Sequence, residues 1–251
     1  MKNQMKTVSE VKNSSRTSTL AHETRKNQQW LSMLVIVAFA ISAAFTSCGK
    51  DGGGGNGNGG ESGVVTQITA KVDNASQYSN VVKVKLVAAE SNGCEVLAEA
   101  EIKNGGFTLQ LPEIVPERFL FPMGEFFSLM FGDELTYSDN NAKVLFHGFN
   151  YHFFATNSAG RQISVLLIRP PKDNSTKSYI YADRDVNASG SYDIDNFPIV
   201  LSLDLKRGWN VYYTITTLSP PKIEYRTSPA IGGNWKWFIH GGVIDSVSDC
   251  L

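Results

Sequence analysis

From Val64 onward the sequence predicts a mainly β domain, an antiparallel β-sandwich with few short helices. Three observations point there. Apolar and polar residues alternate with a period of two in run after run, as half-buried strands require. The runs are separated by short clusters of Gly, Pro, Asn, Asp and Ser, each able to reverse the chain. No long stretch carries the 3.6-residue periodicity of an amphipathic helix.

A leader precedes this domain. The chain has 251 residues, with 23 Lys and Arg against 24 Asp and Glu. The charges are unevenly placed. Residues 1–29 hold six basic side chains (Lys2, Lys6, Lys12, Arg16, Arg25, Lys26) against Glu10 and Glu23, a net of +4. Residues 30–47 hold no charge, which leaves 17 basic and 22 acidic side chains, a net of −5, for residues 48–251. A mildly acidic folded part has no electrostatic footprint for nucleic acid, which needs clustered cations. The basic arm, the apolar run Trp30–Phe45 and the small residues behind it instead form the pattern of a secretory signal.

Within that signal, Ala44-Phe45-Thr46-Ser47-Cys48 resembles a lipobox, with Phe45 where Leu is usual. The resemblance implies cleavage before Cys48 and acylation of its thiol, with residues 1–47 as a signal peptide bearing an extended basic region. Each buried acyl methylene contributes roughly 0.8 kcal/mol, so several chains, palmitate-like in length, make a stable membrane anchor. Gly49-Lys50-Asp51 is similar to the signal that sends Bacteroides-group lipoproteins to the outer face of the outer membrane. Residues 48–62 then form a tether. Asp51–Ser62 is dominated by Gly and Asn, has no apolar side chain to bury, and behaves as a flexible coil spanning roughly 20 Å.

The domain is expected to fill residues 63–251, with a subdivision near 115 left open. Val82, Val84 and Leu86 alternate with Lys83 and Lys85. Val96, Ala98, Ala100 and Ile102 alternate with Glu95, Glu99 and Glu101. Asn104-Gly105-Gly106 reads as a hairpin turn, because Asn and Gly tolerate positive φ. Phe107, Leu109 and Leu111 form the next strand. Pro122 interrupts the apolar stretch 116–132, and Glu125–Phe131 reads as one or two helical turns plugging the core. Strands are then predicted at Lys143–Phe154, Gln162–Arg169, Ser178–Ala182, Ile199–Leu205, Trp209–Thr217, Lys222–Arg226 and Trp235–Ile239. Ten or so short strands at this spacing make a sandwich or sandwich-like barrel.

Few residues suggest chemistry. Trp235 and Trp237 flank Lys236 and share one face of a strand, so they would stack against a sugar ring if exposed, or sit in the core if buried. Asp183, Asp185 and Asn187 offer oxygens at alternate positions, as a calcium loop does, but Ala188 and Ile194 stand where such a loop wants Gly and Glu. His147 and His152, on one strand, would face opposite ways and make poor co-ligands. No nucleophile elbow, zinc-protease pair or Cys-x-x-Cys occurs. No metal, cofactor or catalytic residue is therefore expected. Three cysteines are present. If Cys48 is acylated, Cys94 and Cys250 remain, either as a disulfide in an oxidising compartment or as free thiols.

Gly106-Phe107-Thr108-Leu109-Gln110-Leu111-Pro112 is similar to a strand of carboxypeptidase-regulatory and transthyretin-like sandwiches. Tyr179–Val186 with Gly190, Leu205–Asn210 and Trp235–Phe238 follow in order. Together they resemble a family of Bacteroides-group outer-membrane or surface lipoproteins. The resemblance covers roughly residues 64–240 and implies a Greek-key or transthyretin-like sandwich, but no activity. The expectation is a lipid-anchored envelope protein, displayed at the cell surface, acting as a non-enzymatic binding module for glycan or host protein. The alternative is a structural or accessory subunit of a fimbrial or nutrient-uptake assembly. A hydrolase ranks third, because it would need two carboxylates facing each other across a pocket.

Overall fold

In the computed structural model of the chain, the described residues are 64–90, 93–131, 135–159, 161–169, 174–194, 197–228 and 235–241. Contacts divide the chain into the units Met1–Gly53 and Gly54–Leu251, and every described residue belongs to the second. The expected signal peptide, the whole tether with Cys48, and Cys250 lie outside the described residues.

Among the described residues, the alternating runs become fifteen strands. They are β1 Gln67–Lys71, β2 Val81–Glu90, β3 Gly93–Glu101, β4 Gly106–Gln110, β5 Phe121–Pro122, β6 Thr136–Tyr137, β7 Lys143–Phe146, β8 Tyr151–Asn157, β9 Gln162–Arg169, β10 Ser175–Ala182, β11 Val186–Ile194, β12 Phe197–Leu205, β13 Gly208–Leu218, β14 Pro221–Arg226 and β15 Lys236–Gly241. Among the described residues one α-helix, α1, spans Met123–Phe131. The protein is mainly β, as its sequence patterning predicts.

Three sheets form: a pair β1-β4, a five-stranded sheet in the order β15-β9-β8-β2-β3, and an eight-stranded sheet in the order β5-β7-β10-β13-β14-β12-β11-β6. β2 pairs with β8, so residues on the two sides of position 115 share one sheet. At the turn into β4, Asn104 and Gly105 both have positive φ, 52° and 73°, the conformation of a tight hairpin turn. A Cβ on Gly106 would stand 3.0 Å from the Ala70 carbonyl oxygen, so a larger residue there would push β1 back by a few tenths of an ångström.

Two cores result. One lies between the sheets: Val84, Leu86 and Ala88 of β2 and Tyr151, Phe153 and Ala155 of β8 meet Tyr179, Tyr181, Trp209, Val211 and Tyr213 of β10 and β13. The other fills the inside of the eight-stranded sheet, where Met123, Phe126 and Phe127 of α1 pack against Phe146, Ile180, Ala182, Leu201, Leu203 and Tyr212. Alternate residues of β10 and β13 thus serve opposite cores, which is why both strands read as nearly continuous apolar runs. The core role expected for the helical turns holds for these three α1 side chains.

The eight-stranded sheet is strongly curled. β10 and β11 are joined by only three residues, 183–185, yet three strands separate them in the sheet. A flat sheet would hold them roughly 19 Å apart, whereas four Cα steps reach at most about 14 Å. The sheet must therefore roll up. Its two edge strands, β5 and β6, flank α1 in the chain, so the helix joins one edge to the other and sits inside the roll.

Three sequence expectations need correction. The run Lys143–Phe154 is not one strand: β7 and β8 lie in different sheets, separated by a turn at 147–150 in which Gly148 has φ 82°. Asn150 makes that turn, accepting the Phe146 N–H at 2.7 Å and donating to the Phe119 carbonyl at 2.7 Å. The stretch after Asp185, which falls outside the strands the sequence predicts, is the nine-residue strand β11, paired with β12 and β6. Finally, the larger sheet is mixed rather than purely antiparallel, because β14 pairs in parallel with β12.

Candidate functional site

The two tryptophans do not form an open platform. Trp237 pairs with Ile168 across β15 and β9 and turns into the core between the sheets, 4% exposed. Its ring meets Phe107 and Phe153 edge-on at 5.2 and 5.1 Å and stacks over Tyr179 at 6.5 Å. Trp235, two residues earlier on the same face, is half-buried against Tyr213, with ring centroids 5.7 Å apart. Alternation placed them on one face as expected, but that face is the inner one. Trp209 is likewise a core residue, its Nε1 donating to the Pro112 carbonyl at 2.9 Å.

Asp183, Asp185 and Asn187 do not converge on a cation site. Asp183 Oδ1 accepts the Lys143 N–H at 2.8 Å, and its carboxylate also takes the Arg184 guanidinium at 3.0 Å. Asp185 Oδ1 accepts the Arg207 N–H at 2.9 Å. Asn187 engages Ser138 through its backbone, both N–H and carbonyl. The acidic side chains cap the turns of the curled sheet, where strand ends leave N–H groups unpaired. Among the described residues, no group of three or more His, Cys, Asp or Glu could hold a metal ion.

Because a turn separates them, His147 and His152 are not on opposite faces of one strand; their rings lie 6.2 Å apart. Burial pushes His147 down to about 3, helped by the charge His152 would carry, and burial pushes His152 down to about 4. The His147 Nε2 is shut off from water without a hydrogen-bond partner, and its Nδ1 is 3.4 Å from Ser178 Oγ. Both imidazoles are held neutral inside aromatic surroundings formed by Tyr151, Phe153 and Phe154. A turn marked by Gly148 and Asn150 was the missed signal for this pair.

Cys94, on β3, is disulfide-bonded, and its partner lies outside the described residues. Cys48 and Cys250 are the other two cysteines of the chain.

The sheet edges are the most distinctive surface feature. β5 and β6 are two residues long each. β15 is covered along its outer side: Asp73 N–H donates to the Trp237 carbonyl at 2.8 Å, and Asn74 both donates to the Ile239 carbonyl and accepts its N–H, at 2.8 and 2.9 Å. Asn74 thereby stands in for a neighbouring strand. β3 differs: it is nine residues long, ends the five-stranded sheet, and among the described strands pairs with β2 alone. Glu99 and Glu101 line its solvent face, opposite Lys85 and Lys83 of β2, and Lys83 reaches Glu99 at 2.8 Å. A register shift at Leu86/Val87 bends the pair. A second exposed feature is the aromatic pair Phe121 and Phe149 beside β5, with ring centroids 5.9 Å apart.

No described helix is long and apolar enough to cross a membrane. In comparisons with known proteins, no family model, curated protein or solved structure matches this chain.

Proposed function

We propose that this is a lipid-anchored envelope protein that works by non-catalytic binding, meeting a protein partner along β3. The observation that carries the reading is the β3 edge of the five-stranded sheet, whose outer side meets no other described strand. A strand laid against β3 would gain main-chain hydrogen bonds, and Glu99 and Glu101 would favour Lys or Arg at alternate positions of that strand. The lipobox-like Ala44–Cys48 and the glycine-rich run behind it support an anchored, tethered display at the outer membrane. The sugar-stacking form of the reading loses its platform, because Trp237 belongs to the core. A subunit of an envelope assembly would use the same edge; the open strand favours that second reading as much as it favours a host-protein binder.

Two experiments test this. Labelling cells with a palmitate analogue is expected to mark the protein, and the Cys48→Ala variant is expected to lose the label; retained label would end the anchor reading. A photo-crosslinking residue at Val96 on β3 is expected to capture a partner protein on intact cells, and one at Phe121 to capture none. Crosslinks from Phe121 alone would move the contact to the aromatic pair at β5. The identity of the captured partner, envelope component or host protein, separates the two readings.

A further inference from the structure

We propose that His147 and His152 form a two-coordinate site for a soft monovalent metal ion, copper(I), bridged in a near-straight line between the two rings.

The turn 147–150 makes the pair. β7 ends at Phe146, and Asn150 closes the turn by accepting the Phe146 N–H, which carries His147 back against the start of β8. His152 is the second residue of that strand, and the two ring centres stand 6.2 Å apart. A metal–imidazole bond is about 2 Å long, and each nitrogen lies about 1.2 Å from its ring centre. Two rings on opposite sides of one ion therefore have centres about 6.4 Å apart, and two rings at a tetrahedral angle about 5.2 Å. The separation in this structure matches the near-linear bridge and exceeds the tetrahedral one.

The nitrogens are available. His147 Nε2 is shut off from water and has no hydrogen-bond partner. Such an orphaned buried atom calls for an explanation, and a bound ion supplies one. His147 Nδ1 lies 3.4 Å from Ser178 Oγ, and Ser178 is itself hydrogen-bonded to Tyr212. With the proton on Nδ1 and turned towards Ser178, Nε2 carries the bare lone pair that a metal needs. No hydrogen bond from a described residue engages the His152 ring. Burial holds both imidazoles neutral at ordinary pH, with values of about 3 and about 4, so protons do not compete for the lone pairs.

The surroundings choose the ion. Tyr151, Phe153 and Phe154 wall the pair with aromatic rings. The Tyr151 hydroxyl is committed to the Tyr179 carbonyl and is not a ligand. Desolvation cost grows with the square of the charge, so such walls favour a single charge over a double one. Zinc and copper(II) want at least three protein ligands in tetrahedral or tetragonal array. Among the described residues no third His, Cys, Asp or Glu completes such a set. Copper(I) accepts two nitrogens in line and needs nothing more. Both histidines keep some exposed area, which leaves an ion a way in.

The test uses the full chain in detergent, with free thiols alkylated so that cysteine takes up no metal. It is titrated with copper(I) under ascorbate, without oxygen, against the coloured copper(I) chelator bicinchoninate. One equivalent is expected to bind. X-ray absorption of that complex is expected to show two nitrogen neighbours and the intense edge feature of linear copper(I). His147→Gln and His152→Gln are each expected to weaken binding about tenfold or more, in chains whose circular dichroism matches the parent. Excess zinc(II) is expected not to displace the copper. Failure to bind, binding kept in both folded variants, sulfur neighbours, or a three- or four-coordinate spectrum would each overturn the proposal. The spectrum of the parent chain decides the matter even where a variant does not fold.

Discussion

Asn210 holds the Lys206 peptide unit from both sides: its Oδ1 accepts the Lys206 N–H at 2.9 Å, and its Nδ2 donates to the Lys206 carbonyl at 2.7 Å. This pairing sits at the apex of a fork. β12 and β13 are joined by the two residues 206–207 but then diverge, and β14 enters between them, parallel to one and antiparallel to the other. Thr227, at the end of β14, accepts the Asp204 N–H at 2.9 Å and closes the gap from the other side. Asn210→Ala removes the acceptor of the Lys206 N–H and the donor to the Lys206 carbonyl, both part-buried bonds, and is expected to destabilise the fold by about 1–2 kcal/mol. Urea unfolding would measure it; a loss below about 0.5 kcal/mol would mean that water replaces the amide.

Trp237 and Trp235 should separate cleanly. Trp237→Ala removes a ring wedged among Phe107, Phe153 and Tyr179 and is expected to cost about 3–5 kcal/mol. Trp235→Ala, at a half-buried position, is expected to cost clearly less. Equal losses in chemical unfolding would contradict the assignment of only one of them to the deep core.

The Asp183 carboxylate is a turn cap rather than a cation ligand. Asp183→Ala is expected to lower stability by about 1–2 kcal/mol, since the Lys143 N–H loses its acceptor. Adding calcium or a chelator is expected to leave the melting temperature unchanged. A rise with calcium would restore the metal-loop reading.

The histidine pair sets an acid limit. Both folded-state values are depressed, to about 3 for His147 and about 4 for His152, below the ordinary 6.5. The unfolded chain therefore takes up protons first. Stability is expected to fall as pH drops below about 6.5, by at most about 1.4 kcal/mol per pH unit for each histidine, and this contribution levels off below the folded values. Both residues keep some exposed area, so water screens part of the effect. His152→Gln is expected to flatten the decline between pH 6 and 4 in unfolding experiments run across that range; an unchanged slope would place the sensitivity elsewhere.

Much of this architecture is legible in the residues. Alternation marks β2, β3, β4 and β12, and Asn104-Gly105 announces its turn outright. β11 escaped because Val186, Ala188 and Tyr192 alternate with Asn187, Ser189 and Ser191 across a glycine: a correct period, carried by side chains that also favour loops. The split between β7 and β8 escaped for the opposite reason, since apolar residues continue through the turn and only Gly148 and Asn150 interrupt them. Local sequence shows which residues turn inward; it does not show which strands become neighbours. The fate of Trp237 was settled by its partner Ile168, far away in the chain, and the long edge at β3 exists only because other segments cap β15.

The first and last strands of the domain also meet: Val72, just after β1, bridges to Trp237 on β15, and the Asp73 N–H bonds to its carbonyl. Contacts this distant in the chain put the fold among slow folders, in the millisecond-to-second range. They also give synthesis a definite finishing point. A chain released before Lys236 has β9 as a bare edge and a hole where the Trp237 ring belongs, so partial products are left sticky and open to proteolysis until the final strand arrives.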